Sequence, residues 1–128
     1  MERIWIRSSV VYLFICIVSW FATLFIRAGL YAILFGSIIL VGSLIMWVTG
    51  LVYLNRPAAA NGLIGKFHFG MFQLGVPCIL LAWFLSFMEV SISIQVISCA
   101  IGIAFLMLGL GLFLLNIVHH HNYKEKIQ

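Results

Sequence analysis

Four long apolar runs, separated by short polar intervals, set the pattern of this chain. They cover residues 8–26, 28–54, 67–88 and 92–118. A hydrocarbon layer roughly 30 Å thick is crossed by a helix of about 20 mostly apolar residues, and each run is long enough. The runs are continuous rather than alternating, which favours helices over a β-barrel. The first follows a basic stretch, as in a signal peptide. It is long, however, and reaches Arg27 with no small-x-small cleavage site, so it is expected to remain as a span.

The intervals order the spans. Residues 27–29 and 89–91 leave room only for tight turns, so the first and second spans are antiparallel neighbours, as are the third and fourth. The link over residues 55–62 is longer and holds two breakers, Pro57 and the pair Asn61-Gly62, and it reads as a loop. The expected fold is all-α: a polytopic four-transmembrane-helix bundle of two hairpins, forming a single transmembrane domain over residues 1–128. A tandem hairpin repeat is suggested by Gly50-Leu51-Val52-Tyr53-Leu54-Asn55 beside Gly111-Leu112-Phe113-Leu114-Leu115-Asn116. Ser37 and Met46 match Ser98 and Met107 in the same register.

Small or polar residues recur seven apart in every span. They are Ser9, Cys16 and Thr23; Gly29, Gly36, Ser43 and Gly50; His68, Gly75, Ala82 and Glu89; and Gln95, Gly102, Gly109 and Asn116. Such residues share a helix face, drifting about 20° per repeat. Small side chains let membrane helices approach closely. Gly36, Ser43, Gly50, Gly75, Gly102 and Gly109 are therefore the expected packing residues of a left-handed bundle. Pro77 is expected to bend the third span and free the Gln73 carbonyl.

Composition supports lipid as the solvent: 65% of the 128 residues are hydrophobic and 8% charged. Arg3, Arg7, Arg56, Lys66, Lys124 and Lys126 flank the spans on one side, against Arg27 and Glu89 on the other. The positive-inside rule then places both termini in the cytoplasm. Trp5, Trp47, Tyr53 and Tyr123 are expected at the inner boundary as an aromatic belt. The net charge of +4 is spread over three short segments, which fits anionic membrane lipids and no nucleic acid.

Candidate chemistry is sparse. No Asp, Glu, Lys or Arg falls at the middle of a span, where a proton- or cation-coupled transporter needs a carboxylate. Hydrolytic triads, phosphate loops and paired carboxylates do not occur, so no enzymatic activity is expected. Cys16, Cys78 and Cys99 have neither paired spacing nor an even count and read as small buried hydrophobes, with a Cys16–Cys78 bridge the one pairing of similar depth. Arg27 and Glu89 can pair externally across the hairpins, and Gln73 and Gln95 can bond between helices. His68 opens the third span, and His119, His120 and His121 follow the fourth. These four imidazoles would converge at neighbouring helix ends and could hold haem or a transition metal. Equally, they form a polar cap over the lipid phosphates.

The leading expectation is a small accessory subunit of a larger membrane assembly, respiratory or transport, packed against other membrane protein subunits in a bacterial cytoplasmic membrane. Two alternatives remain. One is an electron-transfer module whose haem or metal is held by the histidines. The other is a homo-oligomeric channel or transporter with the glycine stripes at its symmetric interface.

Overall fold

The computed structural model describes the backbone of residues 2–25, 29–88 and 90–125, and the side chains of 3–25, 29–88 and 90–119. The elements are α1 (Glu2–Phe25), α2 (Leu30–Leu54), α3 (Pro57–Asn61), α4 (Leu63–Leu85) and α5 (Ile92–Glu125). Four of these helices are long and apolar enough to cross a membrane.

Helix ends differ from those expected, for local reasons. The polar start of the chain holds no breaker, so α1 begins at Glu2 and takes Arg3, Trp5 and Arg7 into its first turns. α5 likewise runs through the histidines to Glu125. The interval expected as a loop contains α3. Pro57 sits at its first turn, where a missing N–H costs nothing. Gly62, extended at φ −64° and ψ 162°, closes α3 by donating to the Ala58 carbonyl and opens α4 by accepting from the Lys66 amide. A Cβ at Gly65 would lie 2.7 Å from the Ala60 carbonyl oxygen, so glycine is what lets α3 rest against α4. Pro77 lies within α4 without ending it.

The long helices alternate in direction, because Trp5 of α1, Tyr53 of α2 and His68 of α4 meet at one end, joined there by Asn116 of α5. α1 packs on α2, α2 on α4, and α4 on α5. The α1 and α4 backbones stay apart and are bridged by large side chains. Two apolar clusters fill the interior. One joins Cys16, Phe35, Ile39, Val76, Ile79, Ala82 and Cys99. The other, at the α3 end, joins Trp5, Met46, Tyr53, Ala59, Ala60 and Phe72.

The seven-residue stripes lie inside. Ser9, Cys16, Thr23, Gly36, Ser43, Gly50, His68, Gly75, Ala82, Gln95, Gly102, Gly109 and Asn116 are all buried. Gly29 is exposed, and Glu89 falls outside the described residues. The stripes differ in how tightly they pack. At Gly102 a Cβ would collide with the Ile79 side chain and lie 2.8 Å from the Gly75 carbonyl oxygen. At Gly109 it would lie 2.7 Å from the Phe72 ring. At Gly36 and Gly50 the nearest atoms are 3.6 Å away, an ordinary contact. Among the stripes, close backbone approach is thus a property of the α4–α5 pair.

The suggested repeat does not carry over into packing. Gly50 lies against Ile6 and Ser9, whereas its counterpart Gly111 has nothing within 4 Å. Asn55 is exposed and bonds the Leu51 carbonyl, whereas Asn116 is buried. Ser37 bonds its own helix at Ile33, whereas Ser98 reaches across to the Cys78 carbonyl at 2.8 Å.

The contrast between two glycines of one helix is testable. Gly102→Ala is expected to destabilise the detergent-solubilised protein by about 1–3 kcal/mol, because a backbone must move. Gly111→Ala meets nothing and is expected to be neutral, or stabilising by up to about 1 kcal/mol through helix propensity. Thermal unfolding of both variants checks this; an equal loss at both positions would show that α4 and α5 do not meet at Gly102.

Candidate functional site

The best-connected group of polar side chains lies at the α3 end. Tyr53 is on the last turn of α2, turned inward by the same periodicity that buries Met46, Thr49 and Gly50. Its hydroxyl stands 3.1 Å from Nδ1 of His68, in the second turn of α4. Asn116, on the inner face of α5, donates from Nδ2 to the Tyr53 oxygen at 3.0 Å and to the Ala59 carbonyl at 2.9 Å. The group therefore links α2, α3, α4 and α5.

The acceptors fix the orientation of the group. A carbonyl only accepts, so the Asn116 atom against Ala59 is the amide nitrogen. That nitrogen also donates to Tyr53, whose own proton is then free for His68 Nδ1. The chain Asn116 to Tyr53 to His68 uses the most donors when His68 is neutral and carries its proton on Nε2. Trp5 of α1 covers the imidazole at a centroid distance of 4.6 Å. Phe72 stands perpendicular to it at 4.9 Å, and Phe113 of α5 lies at 5.4 Å. His68 Nε2 and Trp5 Nε1 are buried without a hydrogen-bond partner. Aromatic rings pack about both side chains, and N–H contacts to such rings are weak.

Other polar side chains pair between helices. Tyr12 donates to Gln73 Oε1 at 2.7 Å, joining α1 to α4. Trp83 Nε1 donates to Thr23 at 3.0 Å, joining the same helices towards the far end. Cys16 and Ser43 lie 3.0 Å apart between α1 and α2. Cys16, Cys78 and Cys99 are all free thiols, so the Cys16–Cys78 bridge is not formed. Gln95 bonds the Val90 carbonyl at the start of its own helix rather than reaching Gln73.

Of the four histidine side chains, those of His68 and His119 lie among the described residues. His68 has no exposed surface, whereas His119 is exposed. The α5 side chains around His68 are Phe113 and, through Tyr53, Asn116. The side chains of His120 and His121 lie outside the described residues, as do Arg27 and Glu89 with their expected external pairing. Among the described residues no three His, Cys, Asp or Glu side chains gather as metal ligands. Rings of Trp5, Phe72 and Phe113 pack around the His68 imidazole.

Trp5 and Tyr53, expected in an interfacial belt, are instead completely buried. Tyr53 turns inward because its hydroxyl finds two partners there, and Trp5 because His68, Phe69 and Phe72 offer it ring contacts. Trp47 is exposed, and Tyr123 is outside the described side chains. In the sequence Asn116 stands as a member of a stripe, one turn deeper than the histidines that follow α5's apolar run. That Tyr53 and His68 lie 15 positions apart across a proline-containing link gave no signal that they would pair.

These sites define a class: an all-helical protein with four membrane-length helices, joined by polar side chains that pair between helices. Comparison of the chain with family models, with curated proteins and with solved structures finds no match.

The direction of the hydrogen-bond chain predicts a single His68 tautomer. In ¹⁵N spectra of histidine-labelled protein, His68 is expected to show a protonated Nε2 and an accepting Nδ1. Tyr53→Phe is expected to replace this with a tautomer mixture. A protonated Nδ1 in the unaltered protein would reverse the assignment.

Proposed function

We propose that this protein is a small multi-pass accessory subunit that packs against a larger membrane assembly, respiratory or transport, with both termini on the cytoplasmic side. The orientation follows from the exposed Arg3, Arg7, Arg56 and Lys66 at one end of the helices. The partner reading rests on one observation, the outer face of α5. Only 17% of its apolar window is buried, against 44% for α2. At 3.6 residues per turn, Ser93, Ala100, Ala104 and Gly111 fall on a single line along this helix, opposite the packed Gly102 and Gly109. All four are exposed.

A surface that meets only lipid has no need of small residues, since leucine or isoleucine serves there equally well. A surface that meets another helix does, because small residues bring the backbones into contact. α5 thus carries two small-residue faces, one used by α4 and one left for a partner. Several polar side chains of the interior pair across helices, Tyr12 with Gln73, Trp83 with Thr23 and Tyr53 with His68 and Asn116, which suits a packing role better than a transport or redox one. A homo-oligomer built on the same α5 face is the second reading that this observation favours.

Gentle extraction from the native membrane separates the two. The native mass is expected to include larger polypeptides. Gly111→Ile and Ala104→Trp are expected to release the protein from them while leaving its own thermal unfolding unchanged. A mass made only of copies of this chain, lost in the same variants, would establish the homo-oligomer instead. A monomer would remove both readings.

A further inference from the structure

The separation of α1 and α4 has a chemical consequence at the basic end. A cavity of about 310 Å³, open to the surroundings, lies between the two helices, lined by Arg7, Ser8, Val11, Tyr12 and Gln73. Tyr12 donates to Gln73 Oε1 across its inner side. The Gln73 Nε2 hydrogens therefore remain as donors. Among the described residues, Arg7 and Ser8 also make no side-chain hydrogen bond. The lining thus offers a guanidinium, a hydroxyl and an amide, and no carboxylate. Exposed Arg3 on α1, with Arg56 and Lys66 at the same end, adds to the positive potential there.

The donors stand at two depths. Arg7 and Ser8 are at the edge of the apolar run. Tyr12, bonded to Gln73, is five positions further along α1, roughly 7.5 Å at 1.5 Å per residue. From Val11, beside Tyr12, the same face of α1 continues as an exposed apolar track through Ile15 and Val18. A charged donor, a neutral donor below it and an apolar track in series match one molecule type. A phospholipid presents, in the same order, a phosphate, ester carbonyls and an acyl chain. A long arginine side chain suits the first position, since its stem lies along apolar surface while its head stays at the interface.

We infer that the α1–α4 groove is a binding site for a single anionic phospholipid. Its phosphate is held by Arg7 and Ser8, an ester carbonyl accepts from Gln73 Nε2, and one chain lies along Val11, Ile15 and Val18. The site belongs to this chain alone and does not depend on the accessory-subunit reading.

Delipidated full-length protein in nonionic detergent, titrated with phosphatidylglycerol or phosphatidylcholine and followed by native mass spectrometry, tests the inference. One phosphatidylglycerol is expected to bind in preference to phosphatidylcholine. Arg7→Gln is expected to weaken it about fivefold or more, the effect of one basic residue near an anionic headgroup. Arg3→Gln, on the same helix but outside the groove, should change it little. Gln73→Leu should weaken it too, with the fold checked by thermal unfolding. Equal losses in Arg7→Gln and Arg3→Gln, or equal binding of both lipids, would overturn the site. So would protection of the protein by inorganic phosphate alone with the same dependence on Arg7, because a headgroup without a chain would then suffice.

Discussion

The hydroxyl of Tyr53, set between His68 and Asn116, is the contact on which the arrangement of the helices depends. Apolar side chains cannot choose between lipid and one another, because both surroundings are equally apolar. A polar group at these positions can choose, since leaving it unpaired in hydrocarbon costs several kcal/mol. Three polar side chains from three spanning helices, and a carbonyl of α3, pair in a single arrangement that leaves His68 Nε2 without a partner. Interhelical bonds of this kind average only about 0.6 kcal/mol each in membranes, so the group contributes direction and register more than strength. The rings of Trp5, Phe72 and Phe113 close around it and bring in α1.

The two halves of the molecule are held by different means. α4 and α5 approach until backbone meets side chain at Gly102 and Gly109. α1 meets α4 through long side chains, at Trp5, Tyr12 and Trp83. Close contact leaves no space, and bridging by long side chains does. The groove beside Arg7 is what remains where α1 stands off, and the bare outer face of α5 is what remains where only one side of a helix is used. Both proposed interactions, with a lipid and with a partner helix, follow from this asymmetry.

Much of the fold is legible in the sequence because membrane helices are set by length and continuity, which need no tertiary information. The seven-residue stripes are legible for the same reason: Gly36, Ser43, Gly75, Gly102 and Gly109 share faces by periodicity alone. Partner choice is not legible this way. Trp5 and Tyr53 have the composition of an interfacial belt, and nothing in their neighbours shows that His68 and Asn116 will draw them inward. Residue type and the proximity of helix ends group His68 with the later histidines. Asn116, one turn before His119, is the α5 side chain that bonds Tyr53 beside His68. α3 was hidden because Pro57 and Asn61-Gly62 signal breaks, and a one-turn helix fits between them.

A double-mutant cycle between Tyr53→Phe and Asn116→Leu, read as unfolding free energy in detergent, tests this organisation most directly. If the hydroxyl links α5 to α2 and α4, the two losses will be non-additive, with a coupling on the order of 1 kcal/mol. Strict additivity would contradict the account, since the two side chains would then stabilise the protein independently.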